Sequence, residues 1–170
     1  MMDAEVIAAA IRVLELCRAQ GLTVATAESC TGGLVSGALT EIAGSSDVVD
    51  RAFVTYSNAA KIAMLGVSQT TLGTVGAVSA ETAREMVAGL LRAAGTSLGV
   101  SVTGIAGPGG GSQAKPVGLV HFAAKRADGR MIERREVFAG QDRSGVRRLA
   151  VLTALDMLAE LASNQASATP

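Results

Sequence analysis

The segment Ala27-Glu28-Ser29-Cys30-Thr31-Gly32-Gly33 places a hydroxyl, a thiol and two adjacent glycines where a short apolar run gives way to a helical pattern. Backbone N–H groups at a helix start lack intrahelical partners and carry partial positive charge, so they can hold a phosphate or stabilise an oxyanion. A serine at this position becomes a nucleophile only if a base reaches it. Taken alone, the segment is better explained by Ser29 capping the helix, because its glycines form neither GxGxxG nor GxxxxGK[ST]. Cys30 is a second candidate nucleophile, since a thiol near a helix start can have a lowered pKa. With no His or Asn partner in view it ranks below Ser29 and reads as a small apolar side chain packing helix on sheet.

A second constellation, Tyr56-Ser57-Asn58-Ala59-Ala60-Lys61, follows another predicted strand. Lys61 could serve as a base for Ser29 if burial lowers its pKa well below about 10.4. Against that, a lysine five residues after a strand is more often a solvated helix residue. Tyr56, the single tyrosine, could relay a proton or orient Lys61, or be a core residue with one wet end. His121, the single histidine, falls mid-strand, where a packed or surface imidazole is the better reading, so a serine–histidine triad is disfavoured.

A third constellation runs from Ser101 through Thr103-Gly104-Ile105-Ala106-Gly107-Pro108 to Gly111, again from a strand end. In open α/β sheets ligands sit beyond the carboxyl ends of strands, and all three constellations occupy such places. A mobile surface loop competes as an explanation for Gly109 to Gly111, less well for Thr103 to Gly107. In Gln141-Asp142-Arg143 the arginine in the first turn of a helix opposes the macrodipole preference, which suggests a ligand to meet. Arg147 and Arg148 read as a solvated face.

These residues need elements to position them. The apolar spacing of Val6, Ile7, Ala10, Ile11, Leu14 and Cys17 predicts a first helix stopped by Gly21. Strands are expected at Leu22 to Ala27, Phe53 to Tyr56 and Ser97 to Val102, and helices at Ser29 to Ile42, Asn58 to Leu65 and Ser79 to Ala94. Thr103 to Pro116 reads as a long loop. Val117 to Lys125 and Met131 to Phe138 flank a hairpin turn at Asp128-Gly129, and a helix capped by Asp142 runs to Leu161. The alternation predicts one α/β domain over residues 1–163, a mixed sheet with helices on both faces, and a disordered tail over 164–170.

The chain has 170 residues, enough for one substantial core and short for two. Its 15 basic and 15 acidic side chains cancel, so no field gathers a nucleic acid. No apolar run approaches the roughly 18 to 20 residues that span a bilayer, and the N-terminal charge order is wrong for a secretory signal, which makes the cytoplasm the expected location. Two cysteines and one histidine suggest neither a disulfide nor a transition-metal site. A mean hydropathy of +0.38 makes a homo-oligomer, a dimer first, a reasonable expectation.

Occurring together and in order, Ala27-Glu28-Ser29-Cys30-Thr31-Gly32-Gly33, Tyr56-Ser57-Asn58 with Lys61, Thr103-Gly104-Ile105-Ala106-Gly107-Pro108 and Lys115-Pro116-Val117-Gly118 make the chain resemble the C-terminal domain of the competence and damage-inducible protein CinA, found alone as the nicotinamide-nucleotide amidase PncC. The resemblance covers roughly Val6 to Leu161. It implies a three-layer α/β/α sandwich, no cofactor, and hydrolysis of nicotinamide mononucleotide to nicotinate mononucleotide and ammonia. On this pattern Ser29 would be the nucleophile, Lys61 its base and Tyr56 a proton shuttle. Amides of Thr31, Gly32 and Gly33, or of Thr103 and Gly104, would hold the oxyanion or the phosphate, with Arg143 on the phosphate. Asp50-Arg51-Ala52-Phe53 departs from a Gly-Gly pair common in relatives, which puts that loop in doubt. A nucleotide-binding regulatory module without catalysis, and a purely structural subunit, are the rival readings.

Overall fold

The computed structural model describes residues 3–163, so the tail expected over 164–170 lies outside it. Helix α1 (Ala4–Gln20) starts where the Asp3 carboxylate accepts from the N–H groups of Glu5 and Val6, and it ends at Gly21 as expected. Strand β1 (Val24–Glu28) follows, then α2 (Leu34–Thr40), β2 (Val49–Val54) and α3 (Asn58–Leu65). The second half comprises α4 (Gln69–Thr74), α5 (Ala80–Ala94), β3 (Leu98–Gly104), the hairpin β4 (Leu119–Arg126) and β5 (Met131–Val137), and α6 (Arg143–Ser163).

The five strands form one sheet in the order β2-β1-β3-β4-β5. β2, β1 and β3 are parallel, and β4 and β5 join antiparallel, which is the expected mixed sheet. β1 is buried along its whole length, as a central parallel strand covered on both faces must be. On one face Val24, Val100, Val102 and Phe122 pack against α1, α2 and α6. On the other, Ala25, Ala27 and Ala123 meet Ala83, Met86, Val87 and Leu90 of α5. These layers are the three-layer α/β/α sandwich.

Several boundaries differ from expectation. Thr103 and Gly104 belong to β3, so the long loop begins at Ile105. Asp50-Arg51-Ala52-Phe53 is strand rather than loop, extending β2 at the sheet edge. Helix α4 went unpredicted because Gln69–Thr74 carries little apolar signal and buries no residue.

The largest difference is at Ser29. The predicted helix over Ser29 to Ile42 begins only at Leu34, and Ser29 to Gly33 form a turn. Ser29 therefore caps nothing. The preceding residue does: the fully buried carboxylate of Glu28 accepts from the N–H groups of Gly33 (2.9 Å), Val35 (3.0 Å) and Ser36 (2.8 Å), and from Thr26 Oγ1 (3.0 Å). A carboxylate reaching up from a strand end thus satisfies the orphan donors of α2. The short turn between Glu28 and α2 is closed by its own cap, and Ser29 is left free to point elsewhere.

Two substitutions test this account of packing. Gly89 of α5 faces the last turn of α3, where an added Cβ would sit 1.9 Å from the Leu65 carbonyl oxygen. Gly89→Ala is expected to cost about 1–3 kcal/mol by pushing the two helices apart, read as a lower denaturant midpoint. Glu28→Ala strands three amides and is expected to lose about 3 kcal/mol, with Glu28→Gln intermediate; a midpoint unchanged in Glu28→Ala would refute the cap.

Candidate active site

The carboxyl ends of β1, β2 and β3 open on the same side of the sheet, and the backbone stitches them together. The Ser29 N–H donates to the Val102 carbonyl (3.0 Å), and the Thr55 N–H donates to the Glu28 carbonyl (2.8 Å). Ser29 is thereby fixed between its two neighbouring strand ends, with its side chain at the floor of a cavity of about 290 Å3. That volume is near the lower end for small-molecule sites. A larger cavity of about 400 Å3 between α1 and α6 is lined by neither Ser29 nor any lysine or histidine.

Lys61 reaches Ser29. Helix α3 is capped by Ser57, whose Oγ accepts from the Ala60 N–H (3.0 Å), and the spacing of Lys61 and Leu65 puts both on its buried face. Lys61 is only 1% exposed. Its Nζ donates to the Thr55 carbonyl (2.8 Å) and lies 3.0 Å from Ser29 Oγ, where it also donates. No carboxylate pairs with it among the described residues. Burial accordingly pushes its pKa down from 10.5, opposed only by the nearby Cys30 thiol. The reading of Lys61 as a solvated helix residue is thus overturned.

Tyr56 plays a different part from the one expected. Its ring is 61% exposed, and its hydroxyl accepts from Arg143 Nη2 (3.0 Å), with no hydrogen bond to Lys61. The Thr55 carbonyl, not Tyr56, orients the lysine. Arg143 opens α6 and also donates through Nη1 to the Gly107 carbonyl (2.8 Å), so it spans from the end of β2 to the loop after β3. Asp142 caps that helix through Oδ1, which accepts from the Gly145 N–H (2.7 Å).

The two candidate amide groups fare differently. Thr31, Gly32 and Gly33 do not line the cavity, and the amides of Gly32 and Gly33 are already spent on the Ser29 carbonyl and the Glu28 carboxylate. Thr103 and Gly104 do line it. The Thr103 hydroxyl donates to the Ala77 carbonyl (2.7 Å), anchoring the segment before α5 that forms one wall. Gly104 is glycine because a Cβ there would come within 2.8 Å of the Leu119 carbonyl oxygen on β4.

The remaining candidates resolve simply. Burial pushes the Cys30 thiol up to about 11, which suits a packing residue and not a nucleophile. His121 sits on β4 opposite Thr103 and away from the cavity, its pKa lowered mainly by burial. Arg147 is no solvated residue, since it is partly buried and donates to the Thr31 carbonyl (3.0 Å), bracing the turn after Ser29. Arg148 is half-buried and pairs with Asp3 and Glu5. Sequence reasoning missed Glu28 as a cap, Thr55 as the lysine's anchor and Asn58 in the cavity wall. The signal for Glu28 was a lone acid at the end of an apolar strand, a residue type that is buried only with partners.

The chain matches the model of the CinA C-terminal domain over residues 7–162. Nicotinamide-nucleotide amidohydrolase PncC of Escherichia coli strain K12 is 51% identical over 158 residues, which cover 93% of this chain and 95% of that protein. The protein of the same name from Enterobacter agglomerans is 54% identical over 138 residues, covering 81% and 84%. Among solved structures, the competence/damage inducible protein CihA from Agrobacterium tumefaciens superposes with a TM-score of 0.93 at 51% identity, covering 95% of this chain and 98% of that one. The competence damage-inducible protein A from Klebsiella pneumoniae gives 0.88 at 38% identity, covering 94% and 99%. The chain belongs to the CinA C-terminal domain family.

Proposed function

We propose that this chain is a nicotinamide-nucleotide amidohydrolase in which Ser29 attacks the carboxamide carbon and Lys61 is the general base. The observation that carries the reading is the 3.0 Å approach of a buried lysine, without a counter-ion, to a serine hydroxyl on the floor of a cavity. Once neutral, the amine keeps its bond to the Thr55 carbonyl, and the contact with Ser29 reverses so that the hydroxyl donates to the Nζ lone pair. As the Oγ–carbon bond forms, that proton passes to Nζ. Collapse of the tetrahedral intermediate breaks the carbon–nitrogen bond, Nζ returns the proton to the leaving nitrogen, and ammonia departs. Water then attacks the serine ester, again giving its proton to Nζ, and nicotinate mononucleotide leaves as Ser29 regains its own.

The N–H of Cys30, a residue that lines the cavity and directly follows the serine, has no oxygen acceptor among the described residues, which makes it our candidate for the oxyanion. For the phosphate we assign Arg143, together with the Gly109 and Gly110 amides, which line the cavity and donate no backbone hydrogen bond among the described residues. Tyr56, bonded to Arg143, holds the guanidinium in place rather than shuttling protons.

Ammonia release from nicotinamide mononucleotide tests the chemistry. Ser29→Ala should lower kcat by at least about 10³-fold, and Lys61→Met by about 10²–10⁴-fold. Full activity in both variants would sink the pair. The profile of kcat/KM should rise with pH as Lys61 loses its proton, with an inflection below the ordinary lysine value of 10.5. Lys61→Arg, charged at every accessible pH, should be inactive throughout. Arg143→Met should raise KM for the mononucleotide by about 10-fold or more while leaving KM for the riboside, which lacks the phosphate, nearly unchanged.

A further inference from the structure

Strand β5 ends the sheet, and its outer edge faces no other strand among the described residues. An unpaired edge is a template for another strand unless something blocks it. We propose that the β5 edge pairs with the same edge of a second copy of this chain, across a two-fold axis at Arg134, joining two sheets into one.

Backbone parity comes first. Arg126 N–H donates to the Arg130 carbonyl and Phe138 N–H to the Gly118 carbonyl, within a register that sets Phe122 opposite Arg134. The even-numbered residues of β5 therefore turn their backbone polar groups toward β4. Met131, Glu133, Arg135 and Val137 turn theirs to the free edge. A two-fold axis at Arg134 is the register that sets all of these against one another over the full strand. Met131 then faces the partner's Val137, and Glu133 faces the partner's Arg135.

Side chains make that register self-complementary. The odd-numbered residues project on the α5 side, as the Arg84–Glu133 ion pair (2.8 Å) fixes. All are exposed, Met131 at 40% and Val137 at 39%. Antiparallel to itself, the row reads apolar, acid, base, apolar against apolar, base, acid, apolar. Sliding by two residues would set Glu133 against Glu133 or Arg135 against Arg135, which like-charge repulsion disfavours. Arg135 makes no ion pair within the described chain, so its charge is available to the partner. On the opposite face the two Arg134 side chains meet at the axis. Each is already neutralised by Asp156 (2.6 Å) and Glu160 (2.7 Å). Glu136, unpaired among the described residues, lies diagonal to the partner's Arg134.

Sedimentation equilibrium of the full chain tests the proposal, with a mass twice the 17.1 kDa of one chain expected. Arg135→Glu, which breaks no internal ion pair, should raise the dissociation constant by about tenfold or more. Adding Glu133→Arg to it restores opposite charges and should restore the dimer. Register is read by cross-linking: Arg134→Cys, at a close non-hydrogen-bonded pair on the axis, should oxidise to a covalent dimer, and Arg135→Cys should not. Cys17 and Cys30 are buried and do not compete. A single-chain mass for the unaltered protein would overturn the proposal. So would a dimer unmoved by Arg135→Glu, or one that cross-links through Arg135→Cys in place of Arg134→Cys.

Discussion

An amine held out of water without a counter-ion is the interaction on which the site depends. Lys61 is enclosed by α3, by the end of β2 and by the turn after β1, and among the described residues its Nζ hydrogen-bonds only to the Thr55 carbonyl and Ser29 Oγ. A carboxylate in that position would hold the lysine charged and useless as a base. A carbonyl dipole orients it while leaving desolvation free to favour the neutral form. The folded protein gives up stability for this. In the interval between the lowered pKa and 10.5 the unfolded chain carries a proton that the folded chain does not, so stability rises with pH there.

The nearest buried carboxylate is kept occupied. Glu28 adjoins Ser29 in sequence, yet successive residues of a strand point to opposite faces, so its side chain turns toward α2 while that of Ser29 turns to the cavity. Its oxygens are filled by three amides of the α2 start and a threonine hydroxyl. One alternation of the pleat thus separates a capping anion from the serine hydroxyl in the cavity, and the same carboxylate removes Gly33 from the set of amides open to a ligand. Arg147 fastens the other side of the turn through Thr31.

Much of this was legible in the sequence. Apolar spacing, the Gly21 stop, the Asp142 cap and the Asp128-Gly129 turn located α1, α3, α5, α6 and the hairpin, because these signals act within or beside their own elements. Strand ends, which gather ligands in parallel sheets, pointed to Ser29, Lys61 and Thr103 as one group, and Arg143 was added by its place in a helix's first turn against the macrodipole preference. What stayed hidden was tertiary. Whether Lys61 is solvated depends on which way α3 rolls against α5, and no local pattern around a single lysine records that. The cap of α2 lies on a strand rather than next to the helix, so the glycines after Ser29 read as the helix start. Tyr56 lines the cavity, and its hydroxyl meets Arg143 rather than Lys61, a partner 87 residues away that no local pattern records.

Titration of the Lys61 amine reads its protonation state beside the serine. In protein labelled with nitrogen-15 at lysine, the Lys61 Nζ resonance, assigned by its loss in Lys61→Met, should titrate below 10.5. A midpoint at or above the ordinary lysine value would contradict the account, because a permanently charged Lys61 could not take the Ser29 proton.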